Sequence, residues 1–89
     1  MKVLLHRTAG KYLKRVQPDE RKRFKAAFAA LEKEPPEGDI KAYKGTPGTL
    51  RLRVGNYRAI FEFADNAILV THIEPRGQAY TKKTRTKRG

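Results

Sequence analysis

The chain has 89 residues and no cysteine, and its 21 Lys and Arg outnumber nine Asp and Glu for a formal charge of +12. One domain with a modest core fits that length; disulfides and cysteine-based metal sites are excluded, and no apolar run approaches the length a membrane helix needs. Solubility alone does not require such an imbalance, so the charge points to a polyanionic partner: nucleic acid, a membrane surface or an acidic protein.

The charge is unevenly spread. Residues 1–34 carry ten basic and four acidic side chains, whereas residues 41–60 carry five basic ones and residues 76–89 six, with no acid in either segment. Between them, residues 61–75 hold Glu62, Asp65 and Glu74. The apolar run after Met1 is too short for a signal peptide, and a cysteine-free chain of this kind is expected in the cytoplasm.

Val3-Leu4-Leu5 reads as a first strand. Thr8 is placed to cap a short helix carrying Ala9, Tyr12, Leu13 and Val16 at helical spacing. Pro18 opens a second helix, where its missing N–H costs nothing. Phe24, Ala27, Phe28 and Leu31 follow the i, i+3, i+4, i+7 pattern along it, and Pro35-Pro36 ends it. The two helices are expected to form an antiparallel hairpin with one apolar side. Residues 35–49 read as a Pro-, Gly- and charge-rich linker, long enough that part of it is expected to be functional.

From Leu50 the period changes from helical to alternating. Leu50-Arg51-Leu52-Arg53-Val54 is a strand, Gly55-Asn56 a two-residue hairpin turn, and Tyr57 to Phe63 the next strand. Asp65-Asn66 marks another turn and Ala67 to Ile73 a last strand, stopped by Pro75 and Gly77. The expected fold is therefore α+β: an N-terminal strand and two-helix hairpin packed on an antiparallel sheet, in the order β-α-α-β-β-β. One domain spans residues 1–80, followed by a basic, low-complexity tail over 81–89 that is expected to be flexible.

The hairpin turn fixes a face. With Gly55-Asn56 as the whole loop, Val54 pairs with Tyr57, Arg53 with Arg58, Leu52 with Ala59, Arg51 with Ile60 and Leu50 with Phe61. Directly paired residues share a face. Leu50, Leu52, Val54, Tyr57, Ala59, Phe61 and Phe63 then line the core side, and Arg51, Arg53 and Arg58 the other. Like charges directly opposite are destabilising, so the arrangement suits an anion seated among the arginines, whose planar forks match phosphate. The same register, carried through Asp65-Asn66, puts His72 opposite Ala59 on the core face. His6 ends the first strand, so neither histidine is expected to serve as an acid–base couple. Glu62 falls on the arginine face, as a base or, by preference, as an ion-pair partner. No His/Asp/Glu spacing suggests a metal, no glycine-rich phosphate loop is present, and no cofactor is expected.

The segment Gly45-Thr46-Pro47, then Leu50-Arg51-Leu52-Arg53-Val54-Gly55-Asn56-Tyr57-Arg58-Ala59-Ile60-Phe61, an apolar strand, Arg76 and Tyr80 resembles the RelE branch of the RelE/ParE toxin superfamily. The order of elements agrees along nearly the whole chain. The resemblance implies a toxin of a type II toxin–antitoxin system that enters the ribosomal A site and cuts mRNA there. The mRNA's 2′-OH attacks the neighbouring phosphate and leaves a 2′,3′-cyclic phosphate. It also implies a cognate antitoxin protein as partner, beside mRNA and the ribosome's rRNA, with no metal or small-molecule cofactor. By position, Arg51 and Arg53 match two basic residues of the family's second strand, Arg58 the arginine after the tyrosine of the third, Arg76 the arginine after the last strand, and Tyr80 the C-terminal tyrosine.

The implied catalytic set is Arg53, Arg58, Arg76 and Tyr80, with Arg51, Lys44, Lys82 and Lys83 binding RNA phosphates. Some members carry lysine where this chain has Arg51 and Arg53. Arginine effectively cannot release its proton, so Tyr80 is the alternative base and Arg76 the help at the leaving oxygen. The basic helix residues Lys11, Lys14, Arg15, Arg21, Lys22 and Lys25 would meet rRNA in a salt-sensitive way. Two other readings remain open: a ParE-like toxin that inhibits gyrase by binding, and a non-catalytic RNA-binding protein. Sparse aromatic groups on the arginine face argue against sequence-specific single-strand binding.

Overall fold

The computed structural model describes residues 1–75. Strand β1 spans Lys2–Leu5, helix α1 Arg7–Arg15, helix α2 Pro18–Leu31, and strands β2 to β5 Asp39–Ala42, Leu50–Val54, Tyr57–Ala64 and Ala67–Pro75. The five strands form one sheet in the order β1-β5-β4-β3-β2. β2 to β5 are antiparallel neighbours, and β1 adds to β5 in parallel, with Leu5 beside Val70. The α+β architecture is thus the expected one, with a mixed sheet and one further strand, β2, inside the segment read as a linker. No helix among the described residues is long and apolar enough to cross a membrane.

Both helices start where local chemistry allows, with one correction. The cap of α1 is His6 rather than Thr8: the Thr8 N–H donates to His6 Nδ1 at 3.2 Å. α2 begins at Pro18, and Asp19 and Glu20 in its first turn complement the helix dipole. It ends at Leu31, ahead of Pro35-Pro36, where the Glu32 N–H donates back to the last carbonyls. Arg21, expected from sequence to face rRNA, instead closes the open end of α1. Its guanidinium donates to the carbonyls of Leu13, Lys14 and Val16 at 3.1–3.2 Å, groups that a helix end otherwise leaves to water.

Phe24 and Leu31 are buried against Leu52, Val54, Ala59, Phe61, Ile68, Val70 and Ile73, with Ala27 and Phe28 packed beside them. A buried phenylalanine is worth about 3–5 kcal/mol by truncation, a large share of a domain total of about 5–15 kcal/mol. Tyr57 joins the two layers. Its ring meets Tyr12 and Phe24 at 6.0 and 5.4 Å, and its hydroxyl donates to Glu20 Oε1 at 2.7 Å. That bond, with burial and the Glu20 charge behind it, pushes the Tyr57 phenol up to about 12. Phe63, expected in the core, is 48% exposed; near the end of β4 it meets Phe61 edge-on at 5.8 Å.

The β3–β4 register is the derived one, pair for pair from Leu50–Phe61 to Val54–Tyr57. Between β4 and β5 it is not. From the Asp65-Asn66 turn the pairing runs Ala64–Ala67 to Phe61–Val70, then steps to Ile60–His72 and Ala59–Ile73. Thr71 is the extra residue of a β-bulge. A one-residue step exchanges the faces of all that follows, so Ile73 enters the core and His72 leaves it.

Candidate nucleic-acid interface

The sheet face away from the helices carries two adjacent rows of side chains running across four strands. The first row is Asp39, Arg53, Arg58 and Glu74; the second is Lys41, Arg51, Ile60 and His72. β2 brings Asp39 and Lys41, the Gly55-Asn56 hairpin the arginines, and the bulge His72 and Glu74. Four fixed cations thus meet two carboxylates, and the face stays net positive.

The carboxylates bracket the like-charged pair Arg53–Arg58. Arg51 Nη1 donates to Asp39 Oδ1 at 3.3 Å and to the Asp39 carbonyl at 3.1 Å, while Arg53 lies 4.0 Å from Asp39 Oδ2. Arg58 Nη2 donates to Glu74 Oε2 at 3.3 Å. The repulsion that seemed to call for an external anion is therefore relieved partly from within. Glu62, expected to pair with these arginines, is exposed and has no ion-pair partner among the described residues.

Exposure decides how firmly the carboxylates hold. The Asp39 side chain is 46% exposed and the Arg53 side chain 42%, and such pairs contribute little. A phosphate, with a bidentate match to guanidinium, can replace them.

Glu74 is the hub of the other end. Beyond its bond to Arg58, its Oε1 accepts from the Tyr43 hydroxyl at 2.9 Å and lies 3.7 Å from His72 Nε2. The bond to Glu74, then burial and the Glu74 charge, raises the Tyr43 phenol above its ordinary value, while the nearby Arg58 opposes that rise. The Tyr43 ring meets the His72 ring edge-on at 6.4 Å, so the face has more aromatic character than the sequence indicated. Arg58 Nε is buried and lacks a hydrogen-bond partner among the described residues. Lys44 follows Tyr43 and is exposed in the turn that returns the chain to β3.

The structure therefore brings together Arg51, Arg53 and Arg58 as expected. Arg76, Tyr80, Lys82 and Lys83 lie outside the described residues. His72 is corrected from the core face to the arginine face, while His6 holds the start of α1. Asp39, Tyr43 and Glu74 were not singled out in the sequence.

A sequence model of the family described as "ParE toxin of type II toxin-antitoxin system, parDE" matches residues 3–80. The chain belongs to the RelE/ParE toxin superfamily. Its RelE-like character follows from solved structures. The archaeal RelE–RelB complex from Pyrococcus horikoshii OT3 contains a chain 30% identical with a TM-score of 0.71, the match covering 86% of this chain and 96% of that one. The RelB–RelE antitoxin–toxin complex from Methanococcus jannaschii gives 31% identity and a TM-score of 0.70, over 86% and 94%. The isolated E. coli RelE toxin, 13% identical, shares the fold with a TM-score of 0.69 over 97% of this chain and 87% of that one. Among curated protein sequences none matches. The arginine rows are thus a surface of a RelE-like toxin.

Proposed function

We propose that the chain is a ribosome-dependent mRNA endoribonuclease, cutting in the A site by attack of the 2′-OH on the adjacent phosphate and so halting translation. The observation that supports this reading most is the pair of rows in which Arg51, Arg53 and Arg58 stand on one sheet face, with Arg53 held only by the half-exposed carboxylate of Asp39, which a phosphate can displace. Arg58 and Arg53 then hold the scissile phosphate and stabilise the charge that builds on it. Arg76 serves the leaving oxygen, Tyr80 is a candidate for the base, and Arg51, Lys44, Lys82 and Lys83 carry flanking phosphates. The ribosome orients the mRNA and supplies the proximity term, while exposed Lys11, Lys14, Arg15, Lys22 and Lys25 meet rRNA.

The partner that silences it is a RelB-like antitoxin. The groove between β1 and the helices suits one: Leu5, Leu13, Phe24 and Phe28 line it, and Lys14 and Lys25 form part of its basic rim. An amphipathic acidic segment would bury its apolar side there.

The test is purified protein with translating ribosomes, the mRNA 3′ ends being mapped. Cleavage leaving a 2′,3′-cyclic phosphate is expected, with a loss of about 100-fold or more in Arg58→Ala. Intact mRNA, or equal cutting by Arg76→Ala, refutes the assignment. The ParE description of the matching family supports a second reading, inhibition of gyrase by binding, and a supercoiling assay alongside separates the two.

A further inference from the structure

The cleavage reading needs a base for the 2′-hydroxyl, and the arginines cannot supply one. The bulge in β5 turns a histidine onto the same face. His72 faces Ile60 across the ladder, and its side chain is 44% exposed, open to a substrate.

The surroundings of His72 fix which nitrogen is basic. Thr71 Oγ1 donates to the Ile60 carbonyl at 3.2 Å and lies 3.3 Å from His72 Nδ1. A hydroxyl has one proton, and a carbonyl can only accept. With that proton on Ile60 O, Thr71 Oγ1 meets the ring as an acceptor. Nδ1 therefore carries the ring hydrogen, and Nε2 holds the lone pair. Nε2 sits 3.7 Å from Glu74 Oε1, too far to be tied up in a hydrogen bond, so its lone pair is open to a proton. The other oxygen of the same carboxylate accepts from Arg58. A basic nitrogen and a phosphate-binding guanidinium thus approach the two oxygens of one carboxylate. Tyr43 holds that carboxylate through Oε1, and Arg51 and Lys41 continue the row of His72.

We propose that His72 is the general base of the cleavage, positioned by Thr71, Glu74 and Tyr43; this rests on the mRNA-cleavage reading above. His72 Nε2 takes the proton of the 2′-hydroxyl as the 2′-oxygen bonds to phosphorus. The bond from phosphorus to the 5′-oxygen breaks, and that oxygen takes a proton from water. The imidazolium returns its proton to solvent, leaving a 2′,3′-cyclic phosphate and a 5′-hydroxyl.

The experiment is single-turnover cleavage of mRNA on translating ribosomes by the full chain, comparing wild type with His72→Gln and His72→Ala from about pH 5 to 8.5, the range across which histidine changes charge. Wild type is expected to cut, its rate rising tenfold per pH unit at the acid end. His72→Gln is expected to lose about 100-fold or more, as removal of an acid–base group does, and to lose that slope, with ribosome affinity and circular dichroism unchanged. Added imidazole is expected to restore His72→Ala in part, which a structural role would not allow. Cutting by a folded His72→Gln within about fivefold of wild type, with the slope retained, assigns the base elsewhere, Tyr80 foremost, and overturns this proposal while the cleavage reading stands. Intact mRNA with wild type overturns the cleavage reading itself.

Discussion

Asp39→Asn tests whether the arginine rows are the nucleic-acid surface. Asp39 reaches Arg51 at 3.3 Å and Arg53 at 4.0 Å, so its carboxylate occupies the side of both guanidiniums that a phosphate would use. Asparagine keeps the shape and removes the charge. A phosphate seated on Arg53 would lie roughly 6 Å from that carboxylate, and two unit charges at this distance repel by about 0.7 kcal/mol in water and about twice that at half its dielectric constant. RNA affinity is therefore expected to rise about threefold to tenfold. With one more uncompensated cation on the face, log affinity should fall more steeply with log salt, by up to about 0.7 in slope for single strands. Fold stability should move by less than about 1 kcal/mol, because Asp39 is half-exposed and Arg51 keeps its bond to the carbonyl of residue 39. Fluorescence anisotropy of labelled single-stranded RNA across a salt series reads both quantities. Unchanged or weaker binding with an unchanged salt slope would refute the placing of phosphates on these rows.

Three further substitutions probe the supports of that face. Tyr57→Phe removes the hydroxyl bond to Glu20 and should cost about 1–2 kcal/mol in denaturant unfolding at neutral pH, the lower part of the range for bonds to charged groups because the site is half-buried. The Tyr57 phenol is raised in the folded chain to about 12 from 10.0. Its contribution is therefore complete below pH 10 and lost as pH climbs toward 12; wild type should fall toward the variant over that window, and a constant gap would contradict the assignment. Gly38→Ala should destabilise, since Gly38 has φ +144° and a Cβ there would meet buried Leu52 Cδ1 at 2.7 Å; a loss of about 1–3 kcal/mol in thermal or denaturant unfolding is expected, and no loss would mean that β2 is differently placed. Thr71→Val should cost about 0.5–1.5 kcal/mol and shift the His72 ring hydrogen partly to Nε2, visible in ¹⁵N-detected imidazole spectra; an unchanged tautomer would separate Thr71 from the ring.

What the sequence made legible depended on how local the determining force is. A two-residue loop at Gly55-Asn56 sets its own register, so the arginine face could be derived pair by pair. The apolar stripe on α2 follows from helical period alone. β2 could not be read this way. Its four residues, Asp39–Ala42, offer Ile40 as the one large apolar group, and the strand exists because Leu52 and Gly38 give Ile40 a place beside β3. Missing β2 meant missing Asp39, and with it the neutralisation of Arg51 and Arg53. Tyr43 was illegible for a similar reason: its partner Glu74 is 31 positions away.

The bulge is the one misreading that left a usable trace. After Ile68 and Val70, the next large apolar residue is Ile73, an odd step that breaks the alternation. A regular ladder would have turned His72 and Glu74 under the helices and left Ile73 outside. Burying an unpaired carboxylate costs several kcal/mol, while leaving an isoleucine in water forfeits about 1.5–3 kcal/mol. One extra residue avoids both, and Thr71 offsets part of the broken ladder through its bond to Ile60. The preference that stabilises the core is therefore the same one that delivers an imidazole and a carboxylate to the arginines. Assembly of the site on this face follows from where Ile73 must go, and His72 and Glu74 are carried there with it.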